Sequence, residues 1–181
     1  DLEVISLSTS ATDPTSVRLA APSTWLRGVC SQQGTWEGLP FLHIGAFAGE
    51  IEFQRYRRRQ LLSNSLTHVD LIQVVSGSAA FANTVLGLGK PVALQVATRA
   101  RVERHIRAVG VWRKAMTEIT DRLDDRALRR VNAIQVENPW MLEYAHAINA
   151  GRDVDLRYAP PGINAELFHP RGDRLCLRDR Y

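Results

Sequence analysis

The sequence predicts an α/β fold, a mostly parallel sheet with helices on both faces, and three observations predict it. Apolar, largely β-branched runs such as 69–75 and 91–96 are of strand length and nearly continuous, as strands buried within a parallel sheet are. Segments with apolar residues three or four apart alternate with these runs, and that alternation calls for helical crossovers between parallel strands. The chain has 181 residues, 45% of them hydrophobic and 23% charged. A chain of this length buries roughly 70% of the surface its unfolded form exposes, which suffices for one core.

Leu2 to Leu7 alternates apolar and polar residues before the turn formers Thr12, Asp13 and Pro14, the pattern of a strand followed by a loop. From 15 to 39, Pro22, Gly28, Gly34 and Gly38 fall among polar clusters and predict irregular structure or short edge elements before a strand at Phe41–Ile44. Glu50 to Leu66 reads as one amphipathic helix, with Ile51, Phe53 or Tyr56, Leu61 or Leu62, and Leu66 inward and Arg55, Arg57, Arg58 and Arg59 largely on the opposite side. The run Val69–Val75 predicts a strand buried on both faces, ending at Ser76-Gly77-Ser78. Ala79–Leu88 then forms a short helix with Ser78 as N-cap, closed near Gly87 or Gly89. Pro91–Val96 is the next strand, and a helical stretch from about Arg101 to Arg130 follows, with Gly110 as the point where it bends or breaks. Strand Ala133–Val136, helix Pro139–Ala150 and strand Val154–Tyr158 complete a fold that is Rossmann-like in the broad sense. Composition shifts at Pro160-Pro161-Gly162, so residues 1–160 are expected to form one domain and 161–181 a linker.

Composition removes several function classes. No apolar run approaches the ~20 residues of a membrane-spanning helix, and Asp1-Leu2-Glu3 lacks a signal-peptide pattern, so a cytoplasmic protein is expected. Cys30 and Cys176 match no metal or CxxC spacing and read as reduced thiols. The five histidines are scattered without a ligand pattern, which assigns no metal, and neither GxGxxG before a helix, GxxxxGK[ST] nor GxSxG occurs, which assigns no cofactor or nucleophile elbow. The formal charge of +4 favours acidic ligands or a membrane surface, including peripheral contact at the inner face. Residues 99–130 hold ten arginines and lysines against five acids, but Trp112 falls on the apolar stripe of the expected helix, so without interleaved exposed aromatics or a recognised nucleic-acid motif this reads as a solvated face and no nucleic acid is expected.

Ligands of open α/β sheets bind beyond the carboxyl ends of the strands, and that rule selects the candidate site. Ser76, Gly77 and Ser78 offer hydroxyls and backbone N–H groups to a sugar or phosphate, or else simply cap a helix. Thr98 and Arg99 follow the next strand, where Arg99 either pairs with a phosphate or stands solvated. Glu137 and Asn138 accept hydrogen bonds from sugar hydroxyls or cap the helix at Pro139. Gly162 permits a turn after two prolines, and with Asn164 it shapes the exit from the domain.

The segment Tyr158-Ala159-Pro160-Pro161-Gly162-Ile163-Asn164-Ala165-Glu166-Leu167-Phe168-His169-Pro170 resembles the stretch that, in GT-B glycosyltransferases of family 4, follows the last strand of the N-terminal domain. Asp70–Val75, Gly89–Leu94 and Arg129–Asn138 are also similar to successive units of that family, so the resemblance covers about 65–170 well and 1–64 loosely. It implies the acceptor-side half of a two-domain enzyme that moves a sugar from a nucleotide-activated donor to a hydroxyl of a saccharide or lipid-linked acceptor, with retention and without a metal. It also implies that a first strand unit and the donor-binding domain lie outside this chain, and that the chain by itself is inactive. The family's histidine after the strand at 91–96 has no match here, where Ala97-Thr98-Arg99 stands, so no catalytic residue carries over. The alternatives are a noncatalytic α/β module for an anionic ligand and a basic peripheral membrane module.

Overall fold

A computed structural model describes residues 2–104 and 110–162. The fold is α/β, with a four-stranded, all-parallel sheet flanked by helices, as the alternation predicts. That sheet runs β4 (Ile72–Ser78), β5 (Val92–Thr98), β6 (Ala133–Val136), β7 (Asp155–Tyr158) in spatial as in chain order. Connections are a 3₁₀ helix at Ala79–Thr84, then α3 (Ala100–Arg104) and α4 (Val111–Leu128), then α5 (Pro139–Ile148). A second sheet of three strands precedes it: β1 (Ile5–Leu7) pairs in parallel with β3 (Leu39–Ile44), which pairs antiparallel with β2 (Ser31–Trp36). The short helix α1 (Ser23–Arg27) lies between β1 and β2, and a 3₁₀ turn at Glu52–Tyr56 and α2 (Gln60–Ser65) join β3 to β4.

Register decides what each strand buries. Ile72 faces Val92, Val74 faces Leu94, and Leu94 faces Ile134, so the apolar set of each strand falls on one side of the sheet. There these residues form one core with Leu62, Leu66, Ala82, Ala127, Leu128, Met141 and Ala145 from the helices. Ile44 belongs to the same core and Ile5, Leu7 and Leu42 pack against it, so the two sheets share one interior. β4 departs from expectation. It starts three residues later than the apolar run, so that Leu71 lies outside it and is exposed, it continues through Ser76-Gly77-Ser78, and it exposes Gln73, Val75 and Gly77 on one face instead of being buried on both.

The single helix expected over 50–66 is also replaced by two pieces. Arg57 and Arg59 take extended backbone angles, which separates the 3₁₀ turn from α2. The cause is Arg59, whose side chain turns inward instead of facing solvent. Its guanidinium donates to the carbonyls of Ile44 (2.6 Å), Gly45 (3.1 Å), Ser8 (2.9 Å) and Arg55 (2.9 Å). The first three of those carbonyls sit where β1 and β3 end and the fourth in the 3₁₀ turn, so one planar fork ties both strand ends to that turn, adding to the bond that the Ile44 carbonyl already accepts from the Ser8 N–H. Burial outweighs the nearby Asp13 charge and pushes the Arg59 pKa down to about 10, which still leaves it a cation at neutral pH. Arg59→Ala is expected to cost about 2–3 kcal/mol by stranding these carbonyls. A urea titration checks this, and a loss below about 0.5 kcal/mol would reject it.

Two further contacts order the loop after β1. His43 on β3 stands opposite Ser6 on β1, with Nδ1 3.1 Å from Ser6 Oγ and Nε2 2.6 Å from Asp13 Oδ2. Burial raises the Asp13 pKa, but hydrogen bonds from Thr15, His43 and Ser8 outweigh it and hold the carboxyl well below its usual range. Gly45 is required by close approach, since a Cβ there would lie 2.1 Å from the Thr15 carbonyl oxygen. The long helix predicted over 101–130 is two helices, and Gly110, at φ +89°, sits at the start of α4. No helix among the described residues is long and apolar enough to cross a membrane.

Candidate functional site

The carboxyl ends of β4, β5 and β6 bring Ser76–Ser78, Thr98–Arg99 and Glu137–Asn138 to one end of the sheet, since Ser78 pairs in register with Thr98 and Val96 with Val136. The seven side chains and backbones divide into two groups with different tasks.

Ser78, Arg99 and Asn138 are committed to the protein. Ser78 caps the 3₁₀ helix by accepting from the Ala80 N–H, and its hydroxyl donates to Asp124 Oδ1 at 2.6 Å. Asn138 caps α5 through Oδ1 to the Met141 N–H (2.8 Å), and its amide donates to the Ala97 carbonyl (2.6 Å). Arg99, expected to meet a phosphate or stand in solvent, does neither. It is buried, with Nη2 2.7 Å from Asp121 Oδ2 and 2.8 Å from Asp125 Oδ1, and its guanidinium carbon lies 3.9 Å from the centre of the Tyr144 ring. The Tyr144 hydroxyl donates to the same Asp125 oxygen at 2.5 Å. With two carboxylates and an aromatic face around it, this cation is already neutralised.

Asp124 is the centre of the arrangement and was not singled out from the sequence. Its Oδ1 accepts from Ser78 Oγ and from the Ala80 N–H (2.7 Å), while Oδ2 accepts from the Ala100 N–H (2.8 Å). One fully buried carboxylate therefore holds both loops that leave β4 and β5. Burial raises its pKa and that of Asp121; hydrogen bonds from Ala100, Ser78 and Ala80 pull Asp124 back, and Arg99 does the same for Asp121. The signal was present in the sequence, because Asp121, Asp124 and Asp125 are spaced to share one face of α4, the face that also buries Thr120 and Leu128.

Ser76, Gly77, Thr98 and Glu137 remain available to a ligand. Ser76 Oγ accepts from the Ser78 N–H at 3.3 Å, Gly77 is exposed, and a Cβ built on Gly77 would meet open space. Thr98 is half-buried at the end of β5, and Glu137 Oε1 accepts from Gln95 Nε2 at 3.1 Å. The set is two hydroxyls, backbone amides and one carboxylate, which suits the hydroxyls of a sugar better than a phosphate. Gly162 is exposed and lies outside the left-handed region, and among the described residues nothing lies within 4 Å of a Cβ built on it. Asn164 and the segment 163–181 lie outside the described residues.

Two concavities lie elsewhere. One of about 670 Å³ is lined by Val4, Ile5, Gln33, Pro40, Leu42 and His68 at the amino ends of β1 and β3. The other, about 380 Å³, is lined by Gly45, Phe47, Gln54, Arg57 and Gln60 among others, beside the start of α2. Neither includes a residue of the carboxyl-end set. Comparisons with protein-family models, with curated proteins and with solved structures find no match.

Proposed function

We propose that the chain is the acceptor-side domain of a glycosyltransferase similar to GT-B family 4, transferring a sugar from a nucleotide-activated donor to an acceptor hydroxyl. The observation that carries this reading is the segment Tyr158–Pro170, which begins at the last residue of β7 and resembles the family's exit from its N-terminal domain. The hydroxyl and carboxylate character of Ser76, Thr98 and Glu137 at the carboxyl ends supports it, because an acceptor must be held by groups that orient hydroxyls. Glycosyl transfer between two closing domains depends on alignment in a water-poor cleft, and the half described here holds the acceptor side of that cleft. In this reading Glu137 accepts a hydrogen bond from an acceptor hydroxyl while Gln95 fixes its carboxylate.

The test uses the 181-residue chain and the complete polypeptide that contains it, each incubated with a panel of nucleotide-sugars and candidate acceptors and followed by mass spectrometry. The complete protein is expected to release the nucleoside phosphate of its donor (a nucleoside diphosphate from a nucleoside-diphosphate sugar) and glycosylate an acceptor, and the chain alone to do neither. Turnover by the chain alone, or none by the complete protein with any donor, would overturn the reading. In the complete enzyme Glu137→Gln is expected to reduce kcat/KM by about tenfold or more, the cost of one charge-assisted hydrogen bond. Its melting temperature should move by no more than about 2 °C, since only the Gln95 contact is weakened.

A further inference from the structure

Apolar side chains that an ordinary surface would cover project from the same end of the molecule as the candidate site. On α1, between β1 and β2, Trp25 is exposed and Leu26 is 97% exposed. Beyond β5, Val102 is exposed on α3, and at the start of α4 Val111 is 87% and Trp112 is 68% exposed. The two groups are linked through the loop that follows β3, because Glu50 pairs with Arg18 ahead of α1 and Glu52 pairs with Arg104 on α3. Trp36, by contrast, lies in the β2–β3 hairpin at the opposite end of the strands.

Helix geometry shows why Trp112 is unusual. The buried face of α4 runs through Met116, Thr120, Asp124 and Ala127. Trp112 precedes Met116 by four residues and so continues that face, yet every residue from 111 to 115 is exposed, and the first turn overhangs the body of the domain. The charged groups around it are mainly basic. Arg101, Arg113 and Lys114 are exposed, Glu103 is the one exposed acid in 101–104 and 110–115, and the first turn of α4 carries no acid. A tryptophan and a valine at the tip with cations around them match an anionic lipid surface, where an indole sits at headgroup depth and arginine and lysine meet phosphates. A small soluble anion would have no use for the apolar tip.

We propose that the overhanging first turn of α4, with Val102 and Arg101 of α3, docks the protein on an anionic phospholipid bilayer. The docking stands apart from the glycosyl-transfer reading and does not need it. It would set the carboxyl ends of the strands next to the lipid surface.

The experiment is co-sedimentation of the folded chain with vesicles of phosphatidylcholine alone or with about 30% phosphatidylglycerol, at about 0.05 M and about 0.5 M salt. Binding is expected to the phosphatidylglycerol vesicles at low salt, at least about fivefold weaker at high salt, with a blue shift of tryptophan emission. Trp112→Ser, and separately Arg113→Glu with Lys114→Glu, are each expected to weaken binding by about tenfold. Trp36→Ser should bind as the parent does. All these residues are exposed, so circular dichroism and melting curves are expected to be unchanged. No sedimentation with phosphatidylglycerol vesicles, equal sedimentation with phosphatidylcholine alone, or parent-like binding by the α4 variants would each overturn the proposal. So would light scattering that shows a dimer which Trp112→Ser converts to a monomer, since the same tip would then be a self-association surface.

Discussion

Asp124→Ala is expected to remove about 3–5 kcal/mol of folding stability, which for a domain of this size lowers the melting temperature by about 10 °C or more. The carboxylate is fully buried on α4 and accepts from Ser78 Oγ and from the N–H groups of Ala80 and Ala100. Alanine leaves the Ala100 N–H and the Ser78 hydroxyl without partners in a place water does not reach, each at about 1–3 kcal/mol in desolvation, and leaves the Ala80 N–H only its 3.4 Å contact with Ser78 Oγ. It also opens a small cavity between α4 and the loops that leave β4 and β5. Asp124→Asn separates these effects, because it keeps the volume but presents an amide N–H₂ toward one of the donors. Its cost should fall between wild type and alanine, at about 2–3 kcal/mol. Thermal and urea denaturation measure both variants. An alanine variant within about 1 kcal/mol of wild type would mean that Asp124 is not the clasp of the carboxyl-end loops.

The same residue shows what periodicity can and cannot read. Strands β5, β6 and β7 and helix α5 were legible because their signals are strong: compact apolar runs, a proline at the first helical turn, and Asn138 in the capping position. Helix–strand alternation then fixes the parallel sheet. Periodicity classes arginine and aspartate as surface residues, and three errors follow from that one assumption. Arg59 was assigned to a solvated face, yet it fills the space where β1 and β3 end and breaks the expected helix in two. The charges of 99–130 read as a solvated face, yet the buried side of α4 carries Asp121 and Asp124. Arg99 was read as facing a ligand or solvent, yet it pairs with two of those aspartates. In each case a charged group is buried because other groups neutralise or bind it, and apart from the Arg55 carbonyl those partners lie 14 to 51 residues away, beyond any window of local pattern. The candidate site rests on the topology rule for open sheets alone, whereas the division of its residues into those bonded within the protein and those left accessible needed the side-chain contacts.

Arg99 separates a structural clasp from an anion site most clearly. Arg99→Ala is expected to cost about 3–5 kcal/mol, because it leaves Asp121 buried and Asp125 partly buried without their shared cation. The loss should depend on pH with a definite sign. Burial already holds the Asp121 carboxyl above its usual range, with Arg99 the main charge pulling it back down. Removing Arg99 raises that folded-state value further above the unfolded one. A carboxyl raised in the folded state destabilises the fold once it ionises, and the penalty is relieved as pH falls below its folded pKa. The deficit of Arg99→Ala relative to wild type is therefore expected to be greatest near pH 7 and smaller near pH 5. Arg99→Lys keeps the charge but loses the planar stack on Tyr144 and the reach to both aspartates, so it should recover only part of the loss. Melting curves of the three proteins at the two pH values decide the matter. If Arg99→Ala melted like wild type at both, the internal pairing with Asp121 and Asp125 would carry no weight in the folded protein, and the guanidinium would be free to face a ligand.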